Sequence, residues 1–323
     1  MYSVPILLIV FKRLDTTKKV FEKIRSINPK QLFIAADAAR SDYPDEKEKC
    51  DEVRKWILDA IDWDCEVKTL FRDENLGCGR GVSSAVTWFF DNVEYGIILE
   101  DDCVPSLSFF SFVEELLMKY KDDKRIWQIC GHNTMGINPQ KNNSSYSFSA
   151  IEACWGWATW KDRWQNFSYD ISKEDKTALR KNPYFSKKYR RDYWFPLFNS
   201  MSSEVKDIWD YQWTYRILVN TGFCAIPSSN LIENVGFGAD STHFTIGNNN
   251  SFRVQSYEIE NILHPKKIEF DWNLIKFTDK KVFGLPKNGQ YWLYLKNILK
   301  IILRKLHLFD FAKSMKQIFL TEN

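Results

Sequence analysis

The 323-residue chain lacks the features that define several classes of protein. No hydrophobic run approaches the roughly 18 to 20 residues of a membrane-spanning helix. The 13 glycines and 10 prolines are too few for a collagen-like or low-complexity chain. The net charge of +3 is too close to zero to favour a nucleic-acid-binding protein. What remains is a globular composition, long enough for one large domain or two modest ones.

The seven cysteines show no pattern typical of a metal site or a disulfide framework. They are odd in number, they are scattered between residues 50 and 224, and no two have CxxC spacing. We therefore expect reduced thiols in a cytosolic compartment, without a zinc cluster. The N-terminal segment also lacks a basic region and a small-residue cleavage site, so its apolar run is interpreted as a strand rather than a signal peptide.

The first 125 residues alternate between strand and helix patterns. Four apolar runs have the length and composition of buried strands, and they are residues 4–11, 31–37, 65–71 and 96–99. An amphipathic pattern follows each run, and Asp15 or Thr16 is expected to cap the first helix. Repeated βα units predict an α/β fold with a mostly parallel, doubly wound central sheet flanked by helices.

The pattern changes after about residue 125, and this change sets the predicted domains. A helical, charge-rich section at 172–220 precedes a strand that breaks into a glycine-rich loop. From about residue 285, apolar residues at helical spacing lie opposite lysines and arginines. The prediction is a catalytic domain over 1–265, with halves 1–125 and 126–265, and a basic amphipathic helical C-terminal extension over 266–323.

Polar side chains follow three of the four early strands. In an open α/β sheet, ligands bind beyond the carboxyl ends of the strands. The residues at those ends are Lys12 and Arg13 after the first strand, Asp37 after the second, and Glu100, Asp101 and Asp102 after the fourth. A helix cap or a solvated loop position is an equal alternative for Asp37. For the three adjacent acids capping is a poorer explanation, because it uses one carboxylate rather than three.

Three adjacent carboxylates repel one another, and a divalent cation would make the cluster favourable. Such a cation usually keeps waters and completes its shell with substrate phosphates. Two other nucleotide-binding motifs are missing. The segment "GCGRG" at 77–81 lacks the full GxGxxG and follows the third strand, and no GxxxxGK[ST] occurs.

Several segments in a fixed order carry a resemblance to a known family. They are "FKR" at 11–13, "AD" at 36–37, "ENLGCGRGVSSA" at 74–85, "IILEDDCVPSLSFFSF" at 97–112, "WGWATWKDRW" at 155–164, "IWDYQWTY" at 208–215 and "NVGFGADSTHF" at 234–244. This order resembles GT-A fold (Rossmann-like) nucleotide-sugar glycosyltransferases, most closely the inverting N-acetylglucosaminyltransferase I family. The resemblance covers roughly residues 4 to 245.

The resemblance implies roles for the strand-end residues. Asp102 would be the direct ligand of Mn²⁺ or Mg²⁺, and Glu100 and Asp101 would contact the donor's sugar and ribose. Asp37 would bind the nucleoside, and Arg13 the base or the diphosphate.

Two further donor contacts depart from that family's pattern. Gly81 stands where the family has a histidine at the start of its third helix, so Arg80 is expected to take over the diphosphate contact. His243, in the glycine-rich loop, is expected to bind the metal or the diphosphate, with a plain loop as the alternative.

The catalytic base is predicted by the same resemblance to be Asp210. Nearby Asp207 and Glu204 stay open as competitors. Four residues are predicted to bind the acceptor, and they are Trp155, Gly156, Trp157 and Trp209. Core packing is the alternative for the tryptophans. For His132 and Asn133, substrate contact and loop capping are equal alternatives.

The sequence therefore predicts a metal-dependent inverting glycosyltransferase. Its partners would be a UDP-sugar donor, with UDP-N-acetylglucosamine suggested by the family, and a glycan or lipid-linked acceptor, with no nucleic acid. The expected setting is bacterial surface polysaccharide synthesis in the cytoplasm or at the inner face of the membrane.

Alternatives stay open for the function and for the tail. An inactive carbohydrate-binding protein and a sugar-phosphate nucleotidylyltransferase are the rival functions. The basic tail would pack on the catalytic domain, pair with another subunit or contact an anionic membrane.

Overall fold

The computed structural model describes residues 1–137, 144–202, 207–236 and 254–285. The first half contains β1 (Ile6–Val10), α1 (Leu14–Arg25), β2 (Gln31–Ala36), α2 (Glu46–Asp59), β3 (Glu66–Phe71), α3 (Gly77–Asn92), β4 (Tyr95–Glu100), β5 (Cys103–Pro105) and α4 (Leu107–Tyr120). The second half contains β6 (Ile126–Cys130), β7 (Tyr146–Ser149), β8 (Trp157–Trp160), α5 (Lys161–Trp164), α6 (Lys188–Asn199), α7 (Asp210–Val219), β9 (Phe223–Pro227), β10 (Ile232–Asn234) and α8 (Trp272–Lys281). Two 3₁₀ helices, Thr177–Lys181 and Pro183–Ser186, precede α6.

Eight strands form one sheet in the order β3-β2-β1-β4-β8-β6-β9-β7. The four early strands pair in parallel, as do β6 and β9, while β8 and β7 run antiparallel to their neighbours. The predicted mixed α/β class with a mostly parallel central sheet flanked by helices is confirmed.

The strand register brings the predicted site residues to one edge. Val10 pairs with Ala36, and Ile9 pairs with Glu100. The residues that follow β1, β2 and β4 therefore leave the sheet side by side at its carboxyl edge.

The long apolar runs are explained by burial on both sheet faces. Ile6 and Leu8 belong to one hydrophobic cluster, whereas Leu7, between them in β1, belongs to another. A strand covered by helices on both sides needs no polar alternation, which is why continuous runs predicted these strands.

Helix α1 begins earlier than the sequence pattern predicts. Its first residue is Leu14, and Arg13 occupies the N-cap position without a side-chain cap hydrogen bond. The prediction that Asp15 or Thr16 caps this helix is wrong, because both lie inside its first turn. Instead, the hydroxyl of Thr17 donates to the Arg13 carbonyl at 2.6 Å.

The described part of the predicted C-terminal extension packs on the sheet. Leu274 and Ile275 of α8 are buried, and the ring of Phe270 lies 4.4 Å from the ring of Phe223 in β9. Residues 286–323, which include the rest of the predicted basic helix, lie outside the described residues. Among the helices of the described ranges, none has both the length and the apolar character needed to cross a membrane.

Candidate active site

The carboxyl edge of the sheet holds a cleft of about 280 Å³. Six predicted site residues line it, namely Arg13, Asp37, Glu100, Asp101, Asp102 and Trp155. Other polar residues on its wall had no predicted role in binding, and among them are Arg40, Arg72, Asn75, Cys78 and Asn234. The structure thus brings the strand-end residues of three strands into one concave surface.

Arg13 lies between two of the three consecutive acids. Its guanidinium donates hydrogen bonds to Asp101 and, at 2.9 Å, to Asp102. The second oxygen of Asp101 accepts a hydrogen bond from the backbone N–H of Phe11 at 3.3 Å. Because Arg13 and the acids follow neighbouring strands, the parallel register itself creates this ion pair.

The acidic cluster carries less negative charge than its sequence indicates. Burial, together with Asp102 and Asp101, raises the pKa of Glu100 to about 8. Burial also raises the pKa of Asp101 to about 6, against the lowering effect of Arg13. At neutral pH Glu100 therefore holds a proton, and Arg13 offsets the charge of Asp101, so the repulsion is reduced without any added cation.

Asp102 is the acid of the cluster that the sequence predicts as the ligand of a divalent cation. Its carboxylate lines the cleft, and 16% of its side chain is exposed. Within the described ranges no group of three or more His, Cys, Asp and Glu side chains is arranged to hold a metal. A cation at Asp102 would therefore depend on phosphate oxygens and water, which is how Mg²⁺ binds in many nucleotide sites. His243 lies outside the described residues.

The backbone at Gly236 packs directly against the Arg13–Asp102 ion pair. A Cβ atom there would collide with the Asp102 carboxylate and lie 2.8 Å from Arg13 Nη1. The backbone N–H of Val235 donates to the Asp102 carbonyl at 2.9 Å. A residue with a side chain at position 236 would displace the acid proposed to bind the metal.

Asp37 is engaged by the start of α3. One of its carboxylate oxygens accepts hydrogen bonds from the backbone N–H groups of Leu76 at 2.8 Å and Gly77 at 3.0 Å. Burial raises the pKa of Asp37 above its usual value. The structure favours the helix-cap alternative for this residue, while its carboxylate still lines the cleft.

Arg72 is a cleft residue that the sequence analysis missed. It follows β3 directly, so the rule applied to the other three strands would have found it. Its guanidinium donates to Ser84 Oγ at 2.7 Å. Arg80 lies elsewhere, since its side chain is exposed and its guanidinium stacks 4.5 Å from the ring centre of Tyr169.

Lys12 and Arg40 are held on the cleft wall by Glu46, the buried first residue of α2. Lys12 Nζ lies 2.6 Å from one oxygen of Glu46, and Arg40 Nε donates to the other at 3.0 Å. Hydrogen bonds from Arg40 and then Lys12 lower the pKa of Glu46 to about 2, despite burial. Together with Arg72, these cations give the wall a positive character suited to an anionic ligand.

The low pKa of Glu46 predicts a specific acid sensitivity. Because the folded pKa is depressed, its contribution to stability is full above about pH 5 and is lost as the pH falls toward 2. Glu46→Gln should lower the free energy of unfolding at pH 7. As the pH falls from about 5 toward 2, the free energy of unfolding should also decrease less in this variant than in the native chain. Urea unfolding between pH 2.5 and 7 measures this, with exposed Glu48→Gln as the control. Parallel pH profiles for Glu46→Gln and the native chain would contradict the prediction.

Asp210 is the first residue of α7 and is half-buried. One of its carboxylate oxygens accepts a hydrogen bond from the N–H of Tyr211 at 3.0 Å. The negative charge of Asp210 also contributes to the raised pKa of Glu100 and of the Cys78 thiol, both on the cleft wall. Asp210 is not among the residues that line the cleft, whereas its competitor Asp207 is.

Glu152 is a second carboxyl group near Asp210 that the sequence analysis did not identify. The hydroxyl of Thr214 lies within hydrogen-bonding distance of the Glu152 carboxyl group and, at 3.0 Å, of the Asp210 carbonyl. Burial raises the pKa of Glu152 to about 8, so this group is protonated at neutral pH. Glu204, a competitor for the base, lies outside the described residues.

The predicted acceptor residues separate into buried and accessible ones. Trp157 is 0% exposed and Trp209 is 4% exposed, and their rings stack on each other at 5.6 Å. A Cβ atom on Gly156 would lie 2.7 Å from Ile232 Cγ1, so a side chain rather than a ligand approaches this glycine. The structure favours core packing for these three residues. Trp155 lines the cleft, and the acceptor prediction then depends on it.

His132 and Asn133 differ in what they contact. Asn133 donates to the carbonyl of Pro227 at 2.7 Å and accepts from Met135 N–H at 2.9 Å, which is the loop-capping alternative. His132 is buried with its ring edge-on to Trp155 at 4.6 Å, and burial lowers its pKa to about 4. A neutral His132 therefore supports the tryptophan on the cleft wall.

Comparisons with known proteins give only distant structural neighbours. No family model matches the sequence, and no curated protein matches it significantly. Residues 1–349 of TarS from S. aureus share 10% identity with this chain, at a TM-score of 0.38. The match covers 71% of this chain and 59% of the TarS chain. UTP-bound UGPase from Acinetobacter baumannii shares 9% identity and a TM-score of 0.38, covering 72% of this chain and 88% of that one.

A third neighbour is mouse xyloside xylosyltransferase 1 in its apo form. It shares 10% identity and a TM-score of 0.30, covering 51% of this chain and 69% of that one. All three TM-scores fall below 0.5, so these similarities carry no argument about function.

Proposed function

We propose that this protein is a metal-dependent, inverting glycosyltransferase that moves a sugar from a UDP-sugar to a hydroxyl group of a glycan or lipid-linked acceptor. The observation that supports it best is the Arg13–Asp101–Asp102 cluster at the carboxyl edge of a parallel sheet. Ligands of open α/β sheets bind at this edge.

The donor would lie between the acidic cluster and the cationic wall. Asp102 would hold Mn²⁺ or Mg²⁺, and this cation would neutralise charge on the leaving diphosphate. Lys12, Arg40 and Arg72 attract the anionic nucleotide to the same cleft. Glu100 also lines the cleft, and its carboxyl group would contact the donor's sugar.

Asp210 would act on the acceptor. Its carboxylate takes the proton from the acceptor hydroxyl while the oxygen attacks the anomeric carbon from the face opposite the diphosphate. The new C–O bond forms as the bond to the diphosphate breaks, so the anomeric configuration inverts. This direct displacement requires no covalent enzyme intermediate, and Trp155 offers the acceptor a partly exposed ring on the cleft wall.

The biological setting is proposed from the sequence resemblance. It favours UDP-N-acetylglucosamine as the donor and bacterial surface polysaccharide synthesis in the cytoplasm, at the inner membrane face for a lipid-linked acceptor. The basic segment 286–323 would then contact anionic lipid.

A panel of nucleotide sugars tests the proposed function through thermal stabilisation. With Mn²⁺ present, one UDP-sugar at about 100 times its Kd should stabilise the fold by about 2.7 kcal/mol, a shift of several degrees in Tm. Asp102→Asn should lose the part of the shift that needs Mn²⁺. Asp91→Asn, an exposed aspartate in α3, serves as the matched control.

Product analysis separates the alternatives. Slow Mn²⁺-dependent release of UDP from the stabilising sugar nucleotide supports a glycosyltransferase. Binding without UDP release or transfer to any acceptor supports an inactive binding protein, and pyrophosphate release from a nucleoside triphosphate and a sugar phosphate supports a nucleotidylyltransferase. If no nucleotide shifts Tm, the proposal is wrong.

A further inference from the structure

The N-terminus of α3 is held by a carboxylate from a distant part of the chain. The two oxygens of Asp207 accept hydrogen bonds from the backbone N–H groups of Cys78 at 3.0 Å and Gly79 at 2.6 Å. The N–H groups at a helix start have no partner within the helix and favour negative charge. Asp207 therefore satisfies two such donors at once, across more than 120 residues of sequence.

The glycines of "GCGRG" make room for this contact. A Cβ atom on Gly77 would lie 2.6 Å from an oxygen of Asp207, and one on Gly79 would lie 2.6 Å from the backbone nitrogen of Ile208. Gly77 also has a φ of +76°, which side chains rarely adopt. The motif thus has a structural purpose that neither a dinucleotide fingerprint nor a donor contact explains.

Asp207 lies three residues before Asp210, the proposed base. The intervening backbone also packs on the same helix, since Ile208 N borders Gly79. Gln212 of α7 donates to the Ile208 carbonyl at 3.0 Å, which ties the first turn of α7 to this segment. The start of α7 is therefore connected to α3 through a short, hydrogen-bonded stretch of chain.

We propose that Asp207 is a positioning residue that fastens the start of α7, and with it Asp210, to α3 on the donor side of the cleft. This inference depends on the proposed function. Each oxygen of Asp207 accepts one of the two N–H groups, and among side chains of this length only a carboxylate has two acceptor oxygens. An error of about 1 Å in the position of a base costs on the order of 10²-fold in rate.

An alternative role for Asp207, in which it occupies the diphosphate site, predicts a different change in the donor KM. If Asp207 merely occupied a site that the donor diphosphate takes, removing its charge would strengthen donor binding. If Asp207 positions Asp210, removing the contact lowers kcat and leaves the KM for the donor unchanged. The sign of the change in donor KM therefore distinguishes the two roles.

Asp207→Asn tests the inference because it keeps the shape of the side chain. Its NH₂ group would face a backbone N–H, so one of the two hydrogen bonds becomes a donor–donor contact. We expect kcat for transfer to fall about 10- to 100-fold with donor KM within about twofold. Hydrogen–deuterium exchange should accelerate at Cys78, at Gly79 and in the first turn of α7. Asp91→Asn, at the far end of α3, is the control.

Gly79→Ala provides a second variant, because its Cβ atom would displace Ile208 without changing any charge. It should reproduce the kcat loss and the faster exchange. A lower donor KM, an unchanged kcat, or unchanged exchange at Cys78 and Gly79 in Asp207→Asn would each overturn the inference. If the native protein uses no nucleotide sugar, the proposed function fails, whereas the exchange measurement still tests the contact.

Discussion

Replacing Asp210 by asparagine is expected to lower the rate of sugar transfer by ~10²- to 10⁴-fold while donor binding stays intact. The amide cannot accept the proton of the acceptor hydroxyl, but it keeps the size of the side chain and an oxygen for the Tyr211 N–H. The measurements are kcat with saturating donor and acceptor, and the Tm shift produced by the donor with Mn²⁺.

The contacts of the acidic residues near Asp210 distinguish them as candidates for the catalytic base. Both oxygens of Asp207 are engaged by backbone N–H groups of α3, so this carboxylate is occupied. Burial raises the pKa of Glu152 to about 8, and Glu152 is not among the residues that line the cleft. Asp210 is the first residue of α7, and one of its oxygens accepts a hydrogen bond from the N–H of Tyr211.

Matched variants make the test specific. Asp91→Asn should transfer sugar at the native rate, since its carboxylate is exposed at the far end of α3. An equal loss of donor affinity in Asp210→Asn would show that Asp210 binds the donor rather than activates the acceptor. If Glu204→Gln loses transfer and Asp210→Asn does not, the base is Glu204.

The sheet could be predicted because its signals are local. Continuous apolar runs such as 4–11 and 31–37 exist because both faces of the parallel strands are covered. The rule that ligands bind at strand ends then predicts that Arg13, Asp37 and Asp102 lie at one edge of the sheet, and all three line the cleft there. The antiparallel insertion of β8 was not predicted, since a four-residue buried strand has no periodicity.

The parts of the site that could not be predicted are contacts between distant segments. Arg13 meets Asp101 across 88 residues, and Asp207 meets Gly79 across 128 residues. Sequence spacing cannot show that Arg13 pairs with Asp101 and Asp102, because this contact depends on the register of β1 and β4. The glycines of "GCGRG" were ambiguous for the same reason, because their purpose depends on a partner that only the fold brings close.

Asp279→Ala is expected to destabilise the protein by about 3 to 5 kcal/mol, because it leaves a buried arginine without its counter-ion. Arg190 and Asp279 are 2% and 4% exposed, and Arg190 Nη2 lies 2.7 Å from Asp279 Oδ2. Tyr184 also donates to Asp279 at 2.8 Å, and Trp194 donates to the Tyr184 hydroxyl at 2.9 Å. This network fixes α8 against α6, so its loss should lower the urea midpoint of unfolding.

Removing both charges together distinguishes the ion pair from simple packing. The double variant Arg190→Met with Asp279→Leu should destabilise the protein less than Asp279→Ala alone, since no unpaired charge stays buried. Lys280→Ala, at the exposed neighbouring position, should stay within about 0.5 kcal/mol of the native chain. A loss below about 1 kcal/mol in Asp279→Ala would mean that water reaches Arg190 and that α8 is held by Leu274 and Ile275 instead.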